Sequence, residues 1–295
     1  MKLATFLLNH QQRAGILRSG EVLPFPVSVA TSIDQVLLKL GQGETIQQLC
    51  KCLEPAVKVN RVKLLPPLTK PSKLLCVDLK YLDGTFASDS SDGSDHAAIG
   101  LPTLFLRLSS NLASHRAPIE RQLGSDRLDF EGELAVIIGK GGKNIAKGQA
   151  LNHVFGYSIF NKGSVRTQCE APQWTVSEVF NQTGGFGPAI VTVDELPEGA
   201  KGLHFETRVN GKVVQSCNTD DMVFDVATLI HVISKALALS PGDVIVAGTP
   251  LGAGRGKSNG LYMRRGDLCE VSIEGIGTLQ NQIETEENDE SQVMY

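Results

Sequence analysis

Tryptophan occurs once in this sequence, aromatic residues make up 5% of it, and the 28 Lys and Arg are outnumbered by 32 Asp and Glu, for a net charge of -4. That balance leaves no broad basic surface, so neither nucleic acid nor an anionic membrane is an expected partner. Few aromatics together with 30 glycines suit a strand-and-turn protein better than a helical bundle. No two of the six cysteines, Cys50, Cys52, Cys76, Cys169, Cys217 and Cys269, have Cys-x-x-Cys spacing, so no zinc framework is read here. Cys50 and Cys52 stand as a lone close pair and read as reduced thiols. Long apolar runs are absent too. The opening MKLATFLLNHQQR turns polar by Asn9, too short for a signal core or a membrane span. These absences predict a cytoplasmic protein. Catalytic fingerprints are missing as well. No serine sits in Gly-x-Ser-x-Gly, Leu251 occupies the first glycine position of a phosphate loop before Gly256-Lys-Ser258, and Gly139-Lys-Gly-Gly142 lacks the third glycine of a dinucleotide motif. A serine-hydrolase triad and a nucleotide site are therefore rejected.

What is present is enough apolar material, 41% of 295 residues, for one large domain and a small one. The pattern predicts an α+β protein, mainly β, with a small N-terminal α/β domain over residues 1–65, a larger domain over 66–283 and an acidic disordered tail over 284–295. In the first part, Ile33, Val36, Leu37 and Leu40 recur at helical spacing within 31–40. The three prolines of 64–72 make that segment the expected linker. After Lys73 come short β-favouring runs at 74–78, 103–108, 134–138, 154–159, 189–193, 244–247 and 269–273. One helix interrupts them, capped by Asp225 and running over 226–239. The polar, small-residue stretch 84–95 reads as a mobile loop.

The candidate site lies in Asp129-Phe-Glu-Gly-Glu-Leu-Ala-Val-Ile-Ile-Gly139. Period two puts Glu131, Glu133, Ala135 and Ile137 on one side of a strand. Two carboxylates on one face suit a hard cation, Mg²⁺ or Mn²⁺, better than either alone. On spacing alone the other reading, a solvated strand end, stays open.

The surrounding residues carry a resemblance. Leu128 to Gly139, Gly156-Tyr-Ser-Ile-Phe-Asn161 with Ser164 and Arg166, Gln173-Trp-Thr175, Asn218-Thr-Asp-Asp-Met222, Pro241 to Pro250 and Glu274-Gly-Ile-Gly-Thr-Leu279 together resemble the fumarylacetoacetate hydrolase family over about residues 73–283. The resemblance implies a mixed β-roll fold, a homodimer, and Mg²⁺ or Mn²⁺ held by Glu131, Glu133 and a third carboxylate. It implies a small anionic oxo acid as ligand, with substrate contacts at Tyr157, Arg166, Glu178 and Thr249. The activity implied is tautomerisation, decarboxylation, C–C hydrolysis or cyclisation of a 2-oxo or 1,3-dicarbonyl acid.

Two departures matter. The third carboxylate is replaced by Lys162, and the family's lysine falls on Glu178, so a base and an acid have changed places. An ammonium cannot ligate a cation, which makes Lys162 a catalytic candidate that bridges Glu131 and Glu133 in place of the metal. In the lid, Gly84 and Ala87 replace a histidine and a glutamate. A gapped alignment offers His96 as the lid base instead, against a surface-loop histidine. Lys80, where the family has asparagine, is a substrate-carboxylate contact or a solvated lysine. Three functions follow: an enzyme that works without metal through Lys162, a conventional Mg²⁺ or Mn²⁺ enzyme, and an inactive binding or partner subunit.

Overall fold

The computed structural model describes residues 1–77, 101–122, 125, 127–165, 182–250 and 261–285. Among them, the strands form one large sheet of twelve, a second of five and a two-stranded pair of Leu128–Asp129 with Ser164–Val165. Through the large sheet the order runs Val57–Lys58, Glu21–Pro24, Gln11–Arg18, Lys2–Leu8, Gly184–Thr192, Val154–Lys162, Gly132–Ile138, Val244–Val246, Leu74–Val77, Leu104–Leu106. Its centre is the antiparallel pair of Gly132–Ile138 and Val154–Lys162. Both strands are buried on both faces, as their apolar runs require. The second sheet orders Lys212–Asn218, His204–Val209, Leu268–Ile273, Gly277–Thr285 and Ile119–Arg121.

Two cores flank the central strands. On one face Leu134, Val136, Ile138, Tyr157 and Ile159 pack with Phe205 and Val271 of the second sheet and with Leu229, Ile230 and Ile233 of the helix Val226–Ala236. Asp225 caps that helix, its carboxylate accepting from the Thr228 N–H at 2.8 Å. The other face packs Ala135, Ile137 and Phe160 against Ile33, Val36 and Leu37 of the helix Ile33–Gly41.

Three boundaries differ from expectation. The N-terminal part is not a unit apart: Lys2 and Leu3 pair with Val191 and Ile190 of the large sheet, and Leu3, Ala14 and Phe25 share the second core. The proline-rich 64–72 is no free linker. Leu68 is fully buried, the Pro67 carbonyl accepts from Thr5 at 2.7 Å, and Asp34 holds the Thr69 N–H at 3.0 Å. Three prolines stiffen a chain without loosening it, and apolar partners fix its place. At the other end, Glu284 and Thr285 are strand residues paired with Glu120 and Arg121, so the tail boundary at 284 cuts a strand. The loop read at 84–95 and residues 286–295 lie outside the described residues. No helix among the described residues is long and apolar enough to cross a membrane.

Candidate active site

Gly132 pairs with Asn161 and Glu133 with Phe160, which sets Glu131 beside Lys162. The Lys162 N–H donates to the Glu131 carbonyl at 2.8 Å. By strand alternation Glu131, Glu133, Phe160 and Lys162 share the face of Ala135 and Ile137. The side chains meet there. Lys162 Nζ lies 2.9 Å from Glu131 Oε2 and 3.6 Å from Glu133 Oε1, and 4.8 Å from the centre of the Phe105 ring. Exposure is 3% for Glu131, 0% for Glu133 and 2% for Lys162, which removes the solvated strand end. Three charges out of water are costly, and close pairing is what makes their burial tolerable. Glu133 Oε2 also accepts the Gly248 N–H at 2.7 Å.

Gly132, between the two carboxylates, is held from the opposite side. Its N–H donates to Gln215 Oε1 at 3.1 Å, and its carbonyl accepts from Thr249 Oγ1 at 2.9 Å. Gln215 Nε2 donates to Thr249 Oγ1 at 2.9 Å and to the Pro250 carbonyl at 2.8 Å. Beside the cluster the buried Arg107 lies over Phe160, its guanidinium carbon 6.0 Å from the ring centre. It donates to the Gly163 carbonyl at 3.2 Å and to the Thr183 hydroxyl.

The family described as fumarylacetoacetate (FAA) hydrolase, C-terminal, matches residues 73–284. The chain belongs to the fumarylacetoacetate hydrolase family. It is 37% identical over 229 residues to the oxaloacetate tautomerase YisK of Bacillus subtilis, covering 76% of this chain and 74% of that one. The fumarylacetoacetate hydrolase of Exiguobacterium antarcticum superposes with a TM-score of 0.83 at 35% identity, covering 97% of this chain and all of the other. A maleylpyruvate hydrolase from Sphingobium, solved with manganese(II) and pyruvate, shares the fold at 23% identity and a TM-score of 0.79. This chain is thus a member of a family of enzymes with tautomerase, isomerase and hydrolase relatives.

The maleylpyruvate hydrolase structure of the same fold holds manganese(II), and the chemistry of the cluster decides whether a divalent cation fits here. Among the described residues, the groups that converge are two carboxylates and an ammonium. The ammonium carries three N–H donors and no lone pair, and its nitrogen stands within 3.6 Å of both carboxylates. A divalent ion on those carboxylates would meet it as a like charge at close range. Among the described residues no three His, Cys, Asp or Glu side chains gather as metal ligands. The described residues of this cluster do not fit a divalent cation.

Glu131, Glu133 and Lys162 are thus brought together, with Thr249 behind them. Tyr157 is not. It points to the opposite face of its strand, buried at 1% exposure among Val136, Val191 and Leu203. Burial, then Glu198, raises its phenol pKa. The odd–even alternation that aligns Lys162 with Phe160 necessarily sends Tyr157 the other way. Lys80, His96, Arg166 and Glu178 lie outside the described residues. Sequence reasoning missed Gln215 and Arg107. Arg107 is a charged residue inside the β-favouring run 103–108, and that interruption is the signal it left; Gln215 left none, since Lys212–Asn218 mixes polar and apolar residues.

Proposed function

We propose that this chain catalyses keto–enol tautomerisation of a small 2-oxo acid without a divalent metal, with the Lys162 ammonium as the electrophile. In such a reaction a proton leaves the carbon beside the carbonyl and another arrives on the carbonyl oxygen, so atoms balance with no co-reactant. Negative charge builds on that oxygen, and a fixed cation beside it lowers the barrier. The observation that carries the reading is the buried Lys162 Nζ, 2.9 Å from Glu131 and 3.6 Å from Glu133. Two carboxylates beside the amine favour its charged form and aim it. The similarity to an oxaloacetate tautomerase supports the substrate class. His96 as proton carrier, Arg166 as a substrate contact and a homodimer remain part of this reading, as the family resemblance implies, and Lys80, where the family has asparagine, is its second carboxylate contact.

A second reading, an inactive binding or partner subunit, is favoured by the same burial: a lysine 2% exposed and paired on two sides is also what a closed ion-pair cluster looks like. One experiment separates the readings. Enolisation of oxaloacetate and related 2-oxo acids is followed by ultraviolet absorbance with and without a chelator, for the wild type and Lys162→Met. The proposal expects a rate unchanged by the chelator and about 10²–10³-fold lower in the variant, the usual cost of losing a charge-stabilising donor. A rate abolished by the chelator returns the protein to the metal-dependent reading. Saturable binding of a 2-oxo acid without turnover supports the partner subunit.

A further inference from the structure

Between the two carboxylates stands the residue with the freest backbone, Gly132. It is glycine for a steric reason. A Cβ there would lie 2.4 Å from Thr207 Oγ1, 2.9 Å from Val271 Cγ1 and 3.0 Å from Phe205 Cζ, where the second sheet presses on the first. The relative placement of Glu131 and Glu133 therefore rests on a position that cannot stiffen itself with a side chain.

The sheet does not stiffen it either. Toward one neighbour, the backbone groups of Glu131 and Glu133 face the lysine-bearing strand. Gly132 faces the other way, toward Val244–Val246, whose pairing reaches only to Ala135 opposite Val246. The last ladder bond runs from the Ala247 N–H to the Leu134 carbonyl at 2.9 Å. At Gly248, with φ of 98°, the chain turns away. Where the ladder would next serve Gly132, two side chains do so instead. Gln215 takes its N–H, Thr249 takes its carbonyl, and Gln215 donates to Thr249, closing a ring on one residue. The amide of Gln215 has no second orientation to choose. Its oxygen must face the Gly132 N–H and its nitrogen must face the Pro250 carbonyl. At 2% exposure, water does not compete for these bonds.

We infer that Gln215, reaching across from the second sheet, is the positioning residue of this site: through Gly132 and Thr249 it fixes the spacing of Glu131 and Glu133 around Lys162. It touches no reacting atom. This also assigns the Thr249 hydroxyl, which donates to Gly132 and accepts from Gln215, to holding the strand. The inference rests on the proposed tautomerase reading for its kinetic consequence but not for its structural one.

The test therefore uses two readouts on the full-length protein. In ¹⁵N-lysine-labelled protein the Lys162 ammonium, buried and paired, gives an N–H signal protected from water exchange, assigned by its loss in Lys162→Met. Gln215→Leu and Thr249→Val each break the ring, and Thr249→Ser keeps it. The inference expects the ammonium signal to broaden or shift in the first two and to persist in Thr249→Ser. It expects kcat for 2-oxo acid enolisation to fall about tenfold or more in the first two, with KM within about threefold. If Gln215→Leu fails to fold, the two Thr249 variants decide. An unmoved ammonium signal and a kcat within twofold in the ring-breaking variants overturn it, whatever their melting temperatures. Wild-type protein that enolises no 2-oxo acid removes the proposed reaction, and the ammonium signal then decides on Gln215 by itself.

Discussion

At the scale of single residues, a lysine set between two buried carboxylates changes what each of the three groups does. The carboxylates, which as a pair would repel one another and recruit a cation, find one supplied by the chain. Removing it leaves two like charges buried side by side, a loss of about 3–5 kcal/mol when a buried pair is broken. Lys162→Met is accordingly expected to lower the urea midpoint as well as the rate. A second residue-scale consequence concerns His115. Its Nδ1 accepts the Gln280 N–H at 3.2 Å, and burial, then the neighbouring Arg116, lowers its pKa to about 4. The unfolded chain, with an ordinary histidine near 6.5, takes up the proton first as pH falls. Stability is therefore full above about pH 6.5 and declines between there and about pH 4, by about 1–2 kcal/mol after allowance for its partial exposure. Urea unfolding of His115→Gln should show a flatter profile across that window; the same slope as wild type would assign the decline to other groups. The carboxylate pair was legible in the sequence through period-two alternation, and its lysine only through the spacing of the family resemblance. Gln215 was not, because its partners lie on Gly132, Thr249 and Pro250, in two other segments, and no local pattern joins them.

Among elements, the strand Gly132–Ile138 does two incompatible-looking jobs. It is apolar on both faces for most of its length, yet its first turn of alternation carries charge. The reconciliation is the neighbouring strand, which ends in Lys162 at the matching register. The contact between the two sheets at Gly132 makes a specific expectation: Gly132→Ala puts a methyl into Thr207, Val271 and Phe205 and should cost about 1–3 kcal/mol by overpacking. A melting temperature equal to wild type would mean that the second sheet yields at this point. The central strands, the helix at 33–41 and the helix at 226–236 were readable from periodicity. Gln11–Arg18, His204–Val209 and Lys212–Asn218 were missed, since their alternation is diluted by polar residues on exposed faces and their identity comes from pairing.

For the whole molecule, the large sheet joins what composition had divided. Leu3, Phe6, Phe25, Ile33, Val36 and Leu37 are fully or almost fully buried, and several of them pack on Ala135, Ile137 and Phe160 of the strands that carry the site. At about 1.5–3 kcal/mol for each large apolar side chain, losing these six costs about 9–18 kcal/mol, as much as the 5–15 kcal/mol that typically separates folded from unfolded. A chain beginning at Pro66 should therefore show no cooperative thermal transition by circular dichroism, and a sharp one would show that the site-bearing part stands alone. The division was inferred from three prolines, which mark a change of direction without telling whether the same core continues beyond it.

Lys162 is the built-in cation of the proposed reaction, and the most direct measurement of its role is the rate of Lys162→Asp, chelator-treated and then titrated with Mn²⁺. Restoring a third carboxylate beside Glu131 and Glu133 is predicted to lower the metal-free enolisation rate at least about 100-fold and to make the remaining activity rise with Mn²⁺. A variant that binds Mn²⁺ while keeping the full metal-free rate would contradict it.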